Sequence, residues 1–396
     1  MKNKKLITIS LLLSATFTMM AGAIIAPSLP QIERIFSNTE NIALLTRLVL
    51  SIPAIFTAMF SPILGYLADR LGRKKLLIAS LMLYAVGGFS GFILNSIYLI
   101  LVGRALLGIS VAGILTISST LIGDYFKGAE RNKFIGLQGS FMGFGGVVFV
   151  SFAGFLADIS WNFPFLIYLL SIIVVITGSI SLYEPAKTTS ASHATDDISI
   201  SKLKTMKVYM LVFIGIVFFY MMPVQLPFLL DKLSGMTNTK IGLAVSIMNL
   251  SAAIVALFYK RIRAYLSFDS IYILVLLFMS IGYFIIANSS NYNLIFFAGI
   301  IAGIGIGLLM PLGNMWIMEL APVSKRARLV GNVTTAVYLG QFLSPIILQP
   351  FVNHWGVEKV FLLATYAMIT FSIILYLVDF SKKKKSLKYA IIKSNK

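Results

Sequence analysis

Apolar runs of about twenty residues, the length a helix needs to cross a bilayer, alternate with short polar turns along this chain. They fall near residues 6–28, 42–68, 76–95, 98–123, 132–157 and 161–183, and again near 207–230, 240–259, 270–288, 292–318, 328–350 and 356–379. The pattern predicts an all-α polytopic membrane protein with twelve transmembrane helices in two six-helix bundles. Between the two sets, the stretch 184–206 is rich in Lys, Ser, Thr and Asp, a composition that suits a flexible linker. The expected organisation is a bundle over 1–183, a linker over 184–206, a second bundle over 207–380 and a basic tail over 381–396. Met1–Ala23 has the lysines, apolar run and small residues of a signal peptide. Apolarity continues through Ile25, however, so an uncleaved first span is expected.

Composition agrees. Of 396 residues, 58% are hydrophobic and 12% charged, whereas soluble chains carry roughly a quarter charged residues. The chain has no cysteine, which excludes disulfides, thiol catalysis and Fe–S ligation. The two histidines, His193 and His354, form no triad or metal cluster, and no Gly-Lys-Ser/Thr phosphate loop is present. We therefore expect no enzyme activity, no cofactor, no metal site and no use of ATP.

The net charge of +19 changes the picture only through its placement. With the N-terminus inside, the segments on one side of the membrane hold 27 of the 33 lysines and arginines. That is the positive-inside asymmetry, so no nucleic-acid partner is implied. Both termini are expected in the cytoplasm, and Lys382–Lys385 are expected to meet anionic lipid headgroups. Arg34, Arg47, Lys232, Lys240 and Lys359 count as outside, which leaves Arg104 as the arginine within a span.

The two sets of spans are related. A shift of 195 residues carries Asp124, Arg131 and Gly136 onto Glu319, Arg326 and Gly331, and Gly87 and Gly108 onto Gly282 and Gly303. A same-topology repeat of six spans points to two pseudo-symmetric bundles with a site between them near mid-membrane.

Gly65–Lys75, between the second and third spans, combines Gly65, Asp69 and Gly72 at helical spacing with Asp69 and Arg73 four apart, acid first. This loop resembles the first signature of the major facilitator superfamily, Gly-x-Leu-Ala-Asp-Arg-x-Gly-Arg-Lys. The likeness extends over the whole chain and implies the major facilitator fold. It also implies that Gly65, Asp69, Gly72, Arg73 and Asp124 form a gating latch. In that latch Asp69 would approach the start of span eleven near Ala327–Val330, and Arg73 would pair with Asp124. The corresponding loop of the second half, Lys260–Ser270, lacks the glycines and the aspartate at those positions.

Arg104, in Gly103-Arg104-Ala105-Leu106-Leu107-Gly108, resembles the superfamily's span-four signature. Two roles stand open for it: satisfying span-one carbonyls, or serving coupling or anionic-substrate binding. Its repeat counterpart is Gly299. Drug–proton antiporters of the superfamily carry Gly-x-x-x-Gly-Pro-x-x-Gly-Gly in span five. Here the glycines Gly136, Gly139, Gly143, Gly145, Gly146 and Gly154 are present, but the Gly-Pro pair is not.

No acid falls at mid-membrane, so the candidates for coupling are Asp124, Glu319, Asp231 and Glu33, at span ends, together with Arg104. Polar and adaptable residues inside spans are candidates for a substrate pocket: Gln138, Tyr220, Met222, Gln225, Asn249, Asn314 and Gln341. The resemblance implies a monomeric secondary active transporter of the bacterial cytoplasmic membrane, surrounded by lipid. It would export small, partly hydrophobic compounds by alternating access, coupled to protons. A dedicated exporter of one endogenous metabolite, metal-chelating or lipid-like, is the alternative, followed by an importer of a sugar or organic acid.

Overall fold

The computed structural model describes residues 4–185, 201–322 and 325–394, with the side chains of Asn132, Ala327, Asp379 and 382–394 outside the description. Within them are twelve helices long and apolar enough to span a membrane. We number them α1 (Lys4–Ile35), α2 (Ile42–Leu71), α3 (Arg73–Ile93), α4 (Ile97–Tyr125), α5 (Gly128–Ile159) and α6 (Phe163–Ser181). The second set is α7 (Lys202–Asp231), α8 (Asn238–Tyr265), α9 (Phe268–Ala287), α10 (Tyr292–Leu320), α11 (Arg326–Trp355) and α12 (Val357–Ser394). The chain is a multi-pass membrane protein.

Two helices depart from a plain run. α1 ends its α-helical turns at Ala23 and passes through a 3₁₀ turn at Ala26–Ser28 before Leu29–Ile35. Pro27 and Pro30 have no N–H to continue the ladder there. α6 starts as a 3₁₀ segment, Phe163–Leu170, with Pro164 in its first turn. In the second half, the side chains of Ser201, Thr237, Ser267 and Asn291 cap the starts of α7, α8, α9 and α10 by accepting from backbone N–H groups. α7 begins at Lys202, inside the segment expected to be linker; residues 186–200, with His193, lie outside the described residues. α12 stays helical to Ser394 through the expected tail, where Lys382–Lys385 have no described side chains.

Close backbone approaches repeat between the halves. A Cβ on Gly87 would lie 3.0 Å from Gly103 O and 2.9 Å from Leu107 N; on Gly282 it would lie 2.7 Å from Ala298 O and 3.0 Å from Ala302 N. Likewise Gly108 faces Pro53 O at 2.4 Å, and Gly303 faces Met248 O at 2.5 Å. Each pair of contacts maps onto the other by the 195-residue shift, partner atoms included. Small residues let membrane helices meet backbone to backbone, where packing rather than water drives association. Gly108→Val is therefore expected to separate α4 from α2 and to lower the melting temperature in detergent by 5 °C or more, roughly 1–3 kcal/mol of overpacking. An unchanged melting curve would refute this.

The halves touch along two seams, α2 with α11 and α5 with α8. We call the membrane face that carries Gly65–Lys75 the basic end, and the opposite face the far end. On α5, one face at helical spacing meets α8. A Cβ on Gly154 would lie 2.6 Å from Asn238 O, Val150 O faces Gly242, Val147 O accepts from Ser246 Oγ at 3.1 Å, and a Cβ on Gly143 would lie 3.0 Å from that of Ala253. The same face continues toward the basic end as Gly139 and Gly136, where an added Cβ would meet nothing within 4 Å. The seam is closed from the far end to mid-span and parted beyond it.

Candidate functional site

At the basic end, Gly72 takes φ +99°, a conformation glycine reaches without steric cost, and its N–H still closes α2 on Ala68 O. Glu184, just past α6, reaches into the resulting space and accepts from the backbone N–H of Arg73 (2.6 Å) and of Lys74 (3.0 Å). It thereby caps the start of α3. The Arg73 guanidinium bonds Asp124 at the end of α4 and Asp69 at 3.2 Å. Among the described residues, no hydrogen bond or ion pair links Asp69 to α11. The Asp69 side chain is 69% exposed, and Arg73 is its ion-pair partner. Gly65 borders Thr116 of α4, within its own half. Glu184 escaped the sequence reading; the only signal was an acid directly after the last apolar run of the half.

Arg104 is fully buried. Its Nε donates to Val49 O at 2.9 Å. Pro53, four residues on, has no N–H for that carbonyl, so the arginine takes the vacant place. A second nitrogen donates to Ala21 O, in the last turn before the break of α1, where carbonyls lose their intrahelical donors. The third donates to Tyr168 Oη at 2.8 Å, and that hydroxyl in turn donates to Ala21 O at 2.8 Å. Arg104 thus ties α1, α2, α4 and α6 of one half, and among the described residues it pairs with no carboxylate.

Arg47 corrects the sequence reading, which set it outside the membrane. It lies in α2 and is 3% exposed. Nη1 donates to Glu33 and to Ala43 O, both at 2.6 Å, and Nε to Gln225 Oε1 of α7 at 3.1 Å. Its guanidinium carbon lies 3.8 Å from the centroid of the Phe228 ring, also on α7. Gln225 Nε2 is 3.4 Å from Gln349 Oε1, and Gln349 Nε2 donates to Asn353 at 2.7 Å. One buried chain of polar groups therefore joins the halves near the far end. Arg47 stood five residues inside a predicted span, so the test that singled out Arg104 applies to it equally.

Other contacts between halves lie on the same side. Arg34 pairs with Asp231 through two nitrogens at 2.8 and 3.3 Å, Tyr220 Oη donates to Leu50 O at 3.1 Å, and Ser151 Oγ donates to Ser246 Oγ at 2.9 Å. Asp158 meets the start of α8.

The four candidate acids are each in an ion pair: Glu33 with Arg47, Asp124 with Arg73, Asp231 with Arg34, and Glu319 with Arg263 at 3.1 Å. The pocket candidates divide. Tyr220 and Gln225 are engaged in contacts between the halves, and Met222 is fully buried. Asn249 is half-buried on the α8 face between Ser246 and Ala253, at the depth where the seam begins to part. Gln138 is buried, Gln341 half-buried and Asn314 exposed. None of these last four side chains hydrogen-bonds among the described residues, which leaves their amides available.

Comparison with known proteins bears on this arrangement. The profile of the Major Facilitator Superfamily matches residues 11–262 and 208–391. The bacillibactin exporter of Bacillus subtilis (strain 168) is 34% identical over 123 residues, 30% of each chain. The class B tetracycline resistance protein of Escherichia coli is 27% identical over 206 residues, 49% of this chain and 50% of that one. The chain spans half or less of the length of these curated relatives. In fold it is similar to a bacterial homologue of the human lysosomal transporter Spinster, solved in an inward-facing and occupied conformation. The TM-score is 0.77 at 14% identity, over 95% of this chain and 96% of that one. The inward-open xylose transporter XylE from E. coli follows with a TM-score of 0.75 at 14% identity, covering 93% and 95%. The family profile covers both sets of six spans, and on that basis the chain belongs to the Major Facilitator Superfamily.

Proposed function

We propose that this protein is a secondary active exporter of small, partly hydrophobic compounds, working by alternating access and coupled to protons. The observation that carries the reading is the one-sided closure: polar contacts and tight packing join the halves toward the far end, while the α5–α8 seam parts toward the basic end. Two bundles joined toward one end are an arrangement that rocking about a central site can use. The positive-inside asymmetry supports a cytoplasmic basic end in a bacterial cell. In this reading Gly65, Asp69, Gly72, Arg73 and Asp124 latch the basic end in the opposite state. Asp69 leaves solvent then for the start of α11. Gln138, Asn249, Asn314 and Gln341 are the amides offered to cargo. Export is supported by relatives named as a bacillibactin exporter, a tetracycline resistance protein and the multidrug transporter MdtP of B. subtilis.

The dedicated exporter of one metabolite stays as second reading. The relative named for bacillibactin favours it, as does the placement of every candidate acid in an ion pair rather than free in the gap. Purified protein in proteoliposomes, with a pH gradient imposed in either direction, tests both. Accumulation of several unrelated dyes or drugs that follows the gradient and reverses with it is expected. Accumulation that ignores the gradient rejects proton coupling, and failure of all but one chemical class rejects polyspecific efflux. Asp69→Asn is expected to cut the rate about tenfold at unchanged membrane levels, the worth of a charged contact at a helix end in a partly buried setting. A wild-type rate would remove Asp69 from the latch.

A further inference from the structure

α8 starts at Asn238, and the first backbone N–H groups of a helix have no partner within it. Thr237 supplies one acceptor, to Lys240 N at 3.3 Å. The others come from the opposite half. Asp158, in the last turn of α5, accepts from Asn238 N at 2.6 Å with one carboxylate oxygen and from Thr239 N at 3.0 Å with the other, which also accepts from Thr239 Oγ1. The Asn238 side chain returns the contact, donating to Ala157 O at 3.1 Å. A carboxylate on exposed helix amides is favoured both by charge-assisted hydrogen bonding and by the helix dipole.

This contact closes the mouth of a seam already tight beneath it, where Gly154 and Gly242 leave no room for side chains. It borders a polar pocket of about 210 Å³ lined by Gln31, Arg34, Asp158, Asp231, Thr237 and Asn238. The 195-residue shift carries Asp158 onto Asn353, an amide that accepts from Gln349 within its own helix. The α2–α11 seam therefore has no equivalent carboxylate at that position, and the device is built on one seam only.

We propose that Asp158 is the gating residue of the far end: one half lends its carboxylate to the helix start of the other, holds that end shut, and withdraws it each time the end opens. The inference deepens the alternating-access reading above and rests on it. It also sets two one-sided latches in opposition, Asp69 on α2 at the basic end and Asp158 on α5 at the far end. Asp158 serves the start of a helix in the other half here, and Asp69 would do so for α11 in the proposed opposite state.

The chain has no cysteine, so single reporters are clean. Ser246, 2% exposed in the closed seam, is replaced by cysteine, and its labelling by a small maleimide is timed in purified protein with and without Asp158→Asn. The amide keeps one acceptor oxygen and loses the charge. The expected result is labelling about tenfold faster, the difference between a charged and a neutral hydrogen-bonded contact. Thr239→Val, which deletes one donor from the contact, should raise the rate by a smaller factor and serves if Asp158→Asn does not fold. A second reporter, Ser80→Cys, is buried within one half and should not change; a parallel rise there would mean loosening of the whole fold and would overturn the proposal. So would an unchanged rate at Ser246→Cys. Because no substrate is involved, faster labelling in a protein that exports nothing would leave the latch standing and defeat the exporter reading instead.

Discussion

Oxidation of the Ser151→Cys/Ser246→Cys double variant is expected to stop transport completely, and a reductant to restore it. The two hydroxyls lie 2.9 Å apart across the α5–α8 seam. A disulfide needs Cβ atoms about 3.8 Å apart, and two hydroxyls in hydrogen-bond contact make this pair of positions the one to cross-link. Ser151 is eight residues from the end of α5 at Ile159, roughly 12 Å deep at 1.5 Å per residue. A bridge at that depth holds the halves together where the far end must separate. The absence of native cysteine leaves no other thiol to pair, and each single variant supplies the control. Full transport by protein shown to be cross-linked would mean that this seam never opens, and the closure would then be a fixed feature rather than one state of a cycle.

Arg104→Ala is expected to lose transport by a different route. Three acceptors bond the guanidinium: Val49 O, freed by Pro53, which would be left without a donor, and Ala21 O and Tyr168 Oη, which keep the hydrogen bond between them. Each buried group left without a partner costs about 1–3 kcal/mol. The loss falls on one half only, because the repeat counterpart is Gly299. Membrane levels and the melting temperature should both fall, by about 1–3 kcal/mol for the orphaned Val49 carbonyl together with the cavity left by the side chain. Arg104→Lys should recover little, since an ammonium cannot reach three diverging acceptors as a planar guanidinium does. If Arg104→Ala kept its melting temperature yet lost transport, the residue would belong to coupling or substrate binding instead of to the frame.

The same buried residues show how far the chain is legible before it folds. Arg104 is conspicuous as a charge in an apolar run. Its partners are not, because a backbone carbonyl freed by a proline in another helix leaves no mark at position 104. Arg47 carried the same mark, five residues inside an apolar run, yet counted as outside. Burial there depended on Glu33 and Gln225 arriving from α1 and α7. Tyr220 and Gln225 have the composition of a substrate lining, and tertiary contact turned both into ties between the halves. Glu184 and Asp158 are unremarkable acids after apolar runs, and became helix caps only when distant helix starts came to rest against them.

The order of apolar runs by itself determined twelve helices in two related sets, because a lipid-spanning segment must be long, apolar and internally hydrogen-bonded. The lysines and arginines and the Gly65–Lys75 loop pointed to orientation and family. The glycine repeat set which helices approach backbone to backbone, through spacing that survives in both halves. Only the tertiary structure decided which end of the protein is closed. That choice turns on pairs such as Asp158 with α8 and Arg47 with Gln225. Their members lie far apart in sequence, and in the proposed cycle they separate in the other state, so contact alone would carry the difference between the two states.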